Sequence, residues 1–337
     1  MLSVTVVLLE GGHASTAIVP VEIFHAAGAL WNALQGRPAE PAFHVRTATL
    51  DGRPVMDPSG LLLTPMSAVD DTDGSDIVIV SSSGIDLELG LERHQALTPW
   101  LRRQYEAGAY LAGVCMGAAY LAEAGLLDGR EGTSHWALCD RLAERYPAVR
   151  WRPDLFVTED ARLLCSGGVY AAMDVSLYLV EKLCGHEVAV QCAKALLLPM
   201  PRTHQSGYAV LPVARDHGDD RIRQVEAYLQ ANYHTDLCTE DLARRAGLGP
   251  RTFVRHFKSA TGRLPSAYMQ ALRIEAAKAM LERDVRPIQS ISSEVGYDDV
   301  AFFRSLFKRE TGMTPAEYRS HFAPMAVRGQ APVETPA

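Results

Sequence analysis

Positive charge is scarce in this sequence. Its 33 lysines and arginines stand against 40 acids, a net charge of −7, which argues against a protein that coats nucleic acid by charge alone. Any C-x-x-C pair is also missing: the six cysteines, Cys115, Cys139, Cys165, Cys184, Cys192 and Cys238, are scattered. That spacing excludes a zinc ribbon and a disulfide framework, and it suits a reducing compartment. No bound metal or cofactor is expected. No apolar run approaches the roughly 20 residues a membrane helix requires. The opening MLSVTVVLLEGG has no basic n-region and soon breaks into charge and glycine, so it reads as a buried strand and not as a secretory signal. A cytoplasmic, nucleoid-associated protein with no membrane partner is the resulting expectation. Apolar residues are plentiful: 47% of 337 residues are hydrophobic, enough for two ordinary cores.

The charge is uneven. Residues 215–322 hold 17 lysines and arginines and 15 acids, whereas the remainder holds 16 and 25. The pattern changes at the same place. Up to about residue 195, short β-rich runs (Val4–Leu9, Phe43–Thr49, Asp76–Val80, Tyr110–Val114) alternate with amphipathic stretches such as Val19–Leu34 and Leu97–Ala107. Near-continuous apolar strands between helices imply a mostly parallel sheet covered on both faces. Leu155–Thr158 and Leu163–Cys165 read as a late strand pair, and Val169–Leu183 as a closing helix. Residues 199–219, rich in Pro, Gly and polar groups, are the expected linker. Seven helical patterns follow: Asp220–Asn232, Thr239–Ala246, Pro250–Ala260, Pro265–Glu282, Ile288–Val295, Val300–Glu310 and Pro315–Phe322. The expected organisation is a domain over 1–198, the linker, a helical domain over 220–323 and a disordered tail over 324–337.

The helical part repeats itself. Phe253/Phe303, Phe257/Phe307, Lys258/Lys308, Thr261/Thr311, Gly262/Gly312, Pro265/Pro315 and Tyr268/Tyr318 pair at a constant offset, and Leu242/Ile291, Ala246/Val295 and Gly247/Gly296 pair one residue out of step. Each copy reads as helix, glycine turn, helix. Thr239 is the expected cap of the first helix, and Gly247 permits the turn. Phenylalanines at i, i+4 anchor the second helix, leaving Arg251, Thr252, Arg255, His256 and Lys258 for its other faces, with Arg304 and Lys308 in the second copy. Basic residues on a helix are commonly just solvated, but a duplicated helix-turn-helix can set two such helices in the major groove of double-stranded DNA. "EDLARRAGLGPRTFVRHFKSATGRLPSAYMQALRIEAAKAMLE" and "IQSISSEVGYDDVAFFRSLFKRETGMTPAEYRSHF" resemble the AraC/XylS DNA-binding domain. Two departures stand out. Gly249 replaces the family's capping serine, and Asp298-Asp299 opens the second unit, where a carboxylate repels phosphate but can accept from cytosine N4.

In the first part, Gly113-Val-Cys115-Met-Gly117 falls between a strand and the helix expected at Ala118–Ala124. A G-x-C-x-G pattern there has the shape of a nucleophile elbow, and a helix N-terminus favours a thiolate. "GVCMGAAYLAEAGLLDGREGTSHW", "LLCSGGVYAAMDVSLYLVEKLCG" and "STAIVPVEIFHAAG" resemble the ThiJ/PfpI, class I glutamine amidotransferase-like superfamily in the form fused to AraC modules, the GlxA-type regulators. The resemblance implies a flavodoxin-like α/β sandwich joined to an all-α double helix-turn-helix domain. It makes Cys115 the elbow residue and puts His135 at a pocket rim. Hydrolase branches carry His directly after the cysteine, here Met116, and a first-helix carboxylate, here matched best by Thr16. Ser82-Ser83-Gly84 is the oxyanion segment, whose backbone N–H groups suit a carboxylate. Thr16, Ser83, Gly84, Cys115, Met116 and His135 are thus the expected small-molecule site, catalytically degenerate, of a homodimeric regulator. A cysteine hydrolase or glyoxalase-like enzyme with an attached DNA module is the alternative.

Overall fold

Val, Ile and Leu dominate the central strands because both faces of the sheet are covered. The computed structural model describes residues 1–72, 74–210 and 217–324. They fall into two compact units, Met1–Ser206 and a second from Gly207 on. In the first unit the seven-stranded sheet runs Val157–Asp160, Leu163–Ser166, Tyr110–Val114, Ile77–Val80, Leu2–Val7, Phe43–Thr49, Ser67–Ala68. All pairs are parallel except the first. Ile77, Val78, Ile79 and Val80 are fully buried, with alternate residues serving alternate faces. Val78 and Val80 join one apolar layer with Leu97, Trp100 and Leu101 of helix Leu97–Glu106 and with Ala118–Ala122 of helix Gly117–Glu123. Ile77 and Ile79 join the other, with Ile23 and Phe24 of helix Ser15–Ala26 and Val175–Val180 of helix Ala171–Cys184. The result is the expected α/β flavodoxin-like sandwich.

Some elements differ from the sequence reading. The stretch 19–34 is broken into Ser15–Ala26 and a short Leu30–Leu34, with Gly28 at φ +75° between them. A further helix, His186–Leu196, follows Ala171–Cys184 after Gly185, whose φ of +91° breaks the run. Residues 199–206 do not hang free. Arg202 pairs through its guanidinium with the buried Asp174 at 2.7 Å, and Gln205, 1% exposed, donates to the carbonyls of Ser134 and Leu155. Of the expected linker, 211–216 lie outside the described residues, as does the expected tail from 325 on.

The second unit has seven helices among its described residues: Asp220–Asn232, Thr239–Arg245, Pro250–Thr261, Pro265–Arg283, Ile288–Glu294, Val300–Thr311 and Pro315–Phe322. The repeat is geometric as well as textual. Phe257 meets Tyr268 edge-on at 5.3 Å, and Phe307 meets Tyr318 edge-on at 5.5 Å. Thr261 and Thr311 each donate to the carbonyl four residues back at 2.8 Å, and Gly262 and Gly312 end their helices at φ +75° and +77°, a left-handed conformation glycine adopts without steric cost. Thr239 does not cap: Cys238 holds the cap position, with no side-chain hydrogen bond to the helix start.

Candidate functional site

The sheet reverses its winding between Leu2–Val7 and Ile77–Val80, and at such a switch point the loops after the strand ends open a crevice. Three of them meet here: 8–14, 81–86 and the Cys115 turn. Gly12 lies so close to the 81–84 loop that a Cβ would sit 1.6 Å from the Ser82 carbonyl oxygen. At the elbow, a Cβ on Gly117 would fall 2.1 Å from the Val80 oxygen, and one on Gly113 would fall 2.5 Å from the Ala118 nitrogen. Cys115 itself has φ +54°, a strained conformation for a residue with a Cβ that costs about 1–3 kcal/mol and is characteristic of a nucleophile elbow. Its N–H donates to the Ser166 carbonyl at 3.0 Å.

The elbow is therefore built, but its thiol is not activated. Burial pushes the Cys115 thiol up, outweighing the backbone N–H groups of Met116 and His135 and the Ser82 hydroxyl, which favour the thiolate. Desolvation of the charged form is a larger effect here than the helix N-terminus. Met116, expected in the pocket, is 1% exposed and belongs to the core on the other face of the sheet. Thr16, also 1% exposed, is a strut: its hydroxyl donates to the His13 carbonyl at 2.7 Å and accepts the Ser82 N–H at 3.1 Å. The Gly84 N–H donates to the Ser82 hydroxyl at 3.3 Å. Two of the three N–H groups of the expected oxyanion segment are thus engaged internally. Ser83 is buried and Gly84 half-buried. His135 is half-buried, and burial depresses its basicity. Its Nδ1 accepts the Ala137 N–H at 3.2 Å, and Gly168 gives its ring room, since a Cβ there would meet Cδ2 at 2.7 Å.

Other groups at the elbow escaped the sequence reading. The Ser134 hydroxyl donates to the Cys115 carbonyl at 2.8 Å, and Gln205 Nε2 donates to the Ser134 carbonyl at 2.8 Å. A hydrogen-bonded path thus links the elbow to the last residues of the first unit. The Ser166 hydroxyl is buried and has no hydrogen-bond partner among the described residues, and the alternation after Leu164 aims it to the face Cys115 occupies. Behind the crevice, His94 Nε2 accepts the Glu10 N–H at 3.3 Å while Nδ1 faces the Gly90 carbonyl at 3.0 Å. Only Ser134 had a local signal, as the neighbour of His135.

In the second unit, Arg251, Arg255 and Lys258 are exposed on Pro250–Thr261, opposite the buried Phe253 and Phe257. Arg304 and Lys308 are exposed on Val300–Thr311. None of these five makes an ion pair within 4 Å among the described residues, so all can reach an anion. Thr252 is half-buried. His256 is committed elsewhere: Nδ1 bonds Asp219, the cap of helix Asp220–Asn232, at 3.0 Å, and this bond holds the Asp219 carboxyl below its ordinary range. Asp299 is likewise spent. It caps Val300–Thr311 by accepting from the Ala301 and Phe302 N–H groups, so it is not the free acceptor for cytosine the sequence offered. Arg273, which the sequence reading passed over, ties both copies together. From helix Pro265–Arg283 it donates to the carbonyls of Tyr233, Gly296 and Thr235.

An α/β unit with an elbow at its switch point, followed by two helix-turn-helix copies with free cations on their second helices, defines the class of DNA-binding transcriptional regulators. Residues 3–182 match the DJ-1/PfpI family and residues 242–321 a helix-turn-helix domain; the chain belongs to the DJ-1/PfpI family, with a helix-turn-helix domain behind it. It is similar to the HTH-type transcriptional regulator CdhR of Pseudomonas aeruginosa, 29% identical over 88% of this chain and 86% of that protein. It is also similar to the HTH-type transcriptional regulator GlxA of Rhizobium meliloti, 28% identical over 65% of this chain and 68% of that protein. Among solved structures, an AraC family transcriptional regulator from Pseudomonas putida is 25% identical with a TM-score of 0.50, covering 58% of this chain and all of that one. Drosophila melanogaster DJ-1beta, 23% identical with a TM-score of 0.50 over 59% of this chain and 98% of its own, shares the fold.

Proposed function

We propose that the DJ-1/PfpI unit binds a small metabolite at the elbow without turning it over, and that the bound metabolite changes the affinity of the helix-turn-helix unit for its operator. The observation that carries this reading is the state of Cys115: an elbow in full strain whose thiol is buried and held protonated. A nucleophilic cysteine requires a base or a lowered pKa, and Met116 and Thr16, which stand where the hydrolase branches have His and a carboxylate, are committed to packing and to bracing a loop. The Ser166 hydroxyl, which has no hydrogen-bond partner among the described residues, and the exposed side of His135 supply polar contacts for an effector. The path from Cys115 through Ser134 to Gln205 supports a coupling in which the effector prefers one arrangement of the strap at 199–206. A ligand shifts an equilibrium only through such a difference in affinity. The protein acts as a cytoplasmic homodimer, because two copies read a longer and rarer site than one.

The test has two arms. Wild-type protein, assayed for esterase, amidase, peptidase and glyoxalase activity, should show no turnover at an enzymatic rate. A metabolite screen by thermal shift identifies the effector, and Cys115→Ser should then alter its affinity or its effect on DNA binding. In the second arm, Arg251→Ala and Arg255→Ala should each weaken DNA binding at fixed salt by about 1–3 kcal/mol without lowering the melting temperature. Ordinary turnover lost in Cys115→Ser overturns the sensor reading in favour of an enzyme. Unchanged DNA affinity in both arginine variants overturns their assignment.

A further inference from the structure

The two second helices hold different chemistry out to solvent. On Pro250–Thr261, Arg251 and Arg255 are exposed and make no ion pair among the described residues, and either can place a guanidinium fork on a guanine edge. Fifty residues on, these positions are Ala301 and Ser305, and Thr252 becomes Phe302. Phe303 already serves as the buried anchor of Val300–Thr311, and Phe302 is not part of the apolar cluster built around it. Phe302 is 50% exposed in the first turn, with its ring 5.8 Å from that of Tyr297. Asp299, the other group at this end, is occupied as the cap. The first turn of such a helix is the part that meets base edges, and what it offers here is apolar.

We propose that Phe302, with Ala301 beside it, is a specificity-determining residue that reads the 5-methyl group of a thymine in the major groove. The second helix then recognises A·T through apolar contact, whereas the first uses arginine forks, and Arg304 and Lys308 supply phosphate contacts. Among the major-groove features of the four bases, the thymine methyl is the one an aromatic ring without donors or acceptors complements. Tyr297 restricts the ring beforehand, which lowers the entropic cost of the contact. The inference rests on the DNA-binding reading of this unit.

The methyl group can be removed from the DNA instead of the protein. Full-length protein selects its sites from random duplexes. Each thymine of a selected site is then replaced singly by deoxyuridine, and binding is titrated at one salt concentration. Burial of one methyl accounts for about a four-fold change in affinity, so one thymine in the half-site of the second helix should show that loss with wild-type protein. Phe302→Ala should show the loss already on thymine DNA and no further loss on deoxyuridine DNA, and Phe302→Leu should keep a reduced preference for the methyl. Because Phe302 is half-exposed, both variants are expected to fold, which a circular dichroism melt checks. Wild-type indifference to every thymine replacement, or full methyl discrimination retained in Phe302→Ala, overturns the proposal alone. Failure to select any DNA overturns the DNA-binding reading and the proposal with it.

Discussion

His94 shows how much one residue decides at the switch point. Its Nε2 holds the Glu10 N–H and so positions the glycines that follow, and its Nδ1 lies 3.0 Å from the Gly90 carbonyl and 3.2 Å from the Tyr120 hydroxyl. A ring that accepts on one side and donates on the other is neutral, and burial depresses its basicity below the ordinary 6.5. His135 is depressed by the same cause. The sign follows from linkage. In the unfolded chain these rings take up protons as pH falls through 6.5, whereas the folded protein resists. Their contribution is full above that pH and is lost as pH falls toward the depressed folded values. Urea midpoints measured from pH 8 to pH 5 should therefore decline, and His94→Gln should flatten the decline even if it lowers stability throughout. A midpoint that rises on acidification would contradict the neutral, buried state.

At the scale of the element, the two copies are alike in their anchors and unlike in their helix starts. Thr261 and Thr311, Gly262 and Gly312, and the two Phe–Tyr pairs superimpose in role. Gly249 opens the first recognition helix with no side-chain cap, while Asp299 opens the second with two hydrogen bonds. Asp299→Ala should cost about 1 kcal/mol of stability and leave the base preference of selected DNA sites unchanged, since the carboxylate is engaged with its own helix. Gly249→Ser should stabilise by a few tenths of a kcal/mol, because its φ of −69° suits any residue and nothing lies within 4 Å of the added Cβ. Chemical denaturation of the second unit checks both. A change of preferred base in Asp299→Ala would return this residue to the interface. Neither assignment depends on Arg273, whose three carbonyl partners join the linker helix to both turns.

For the whole molecule, the second unit carries its own core. Its two apolar clusters are built from residues between 222 and 322, around Phe253 and Phe257 in one and Phe303 and Phe307 in the other. A fragment beginning at Gly207 should therefore fold cooperatively, bind the DNA the full chain selects and ignore the effector. An unfolded fragment would place the boundary elsewhere, and an effector-responsive one would move the sensor. No helix among the described residues is long and apolar enough to cross a membrane.

Much of this was legible in the sequence because it is local. Helix anchors at i, i+4, glycines at turns and apolar strands between amphipathic helices are set by neighbours a few residues apart, and duplication printed the pattern twice. The seven helices among the described residues of the second unit and the elbow at Gly113–Gly117 follow from that. Tertiary structure reassigns several locally expected roles: Thr16 and Met116 move from pocket to strut and core, Asp299 from base contact to helix cap, and His256 from base contact to a bond with the cap Asp219. Apart from Asp299, whose partners Ala301 and Phe302 are local, the deciding partner is distant or the deciding quantity is burial. Thr16 meets Ser82 across 66 positions, and Ser134 meets Gln205 across 71. The Thr16–Ser82 pair exists only because the strand order brings the loops after residues 7 and 80 to one end of the sheet. The alternation of apolar residues specifies that a sheet forms, but the order of its strands, and with it the site, is decided by packing over the whole unit.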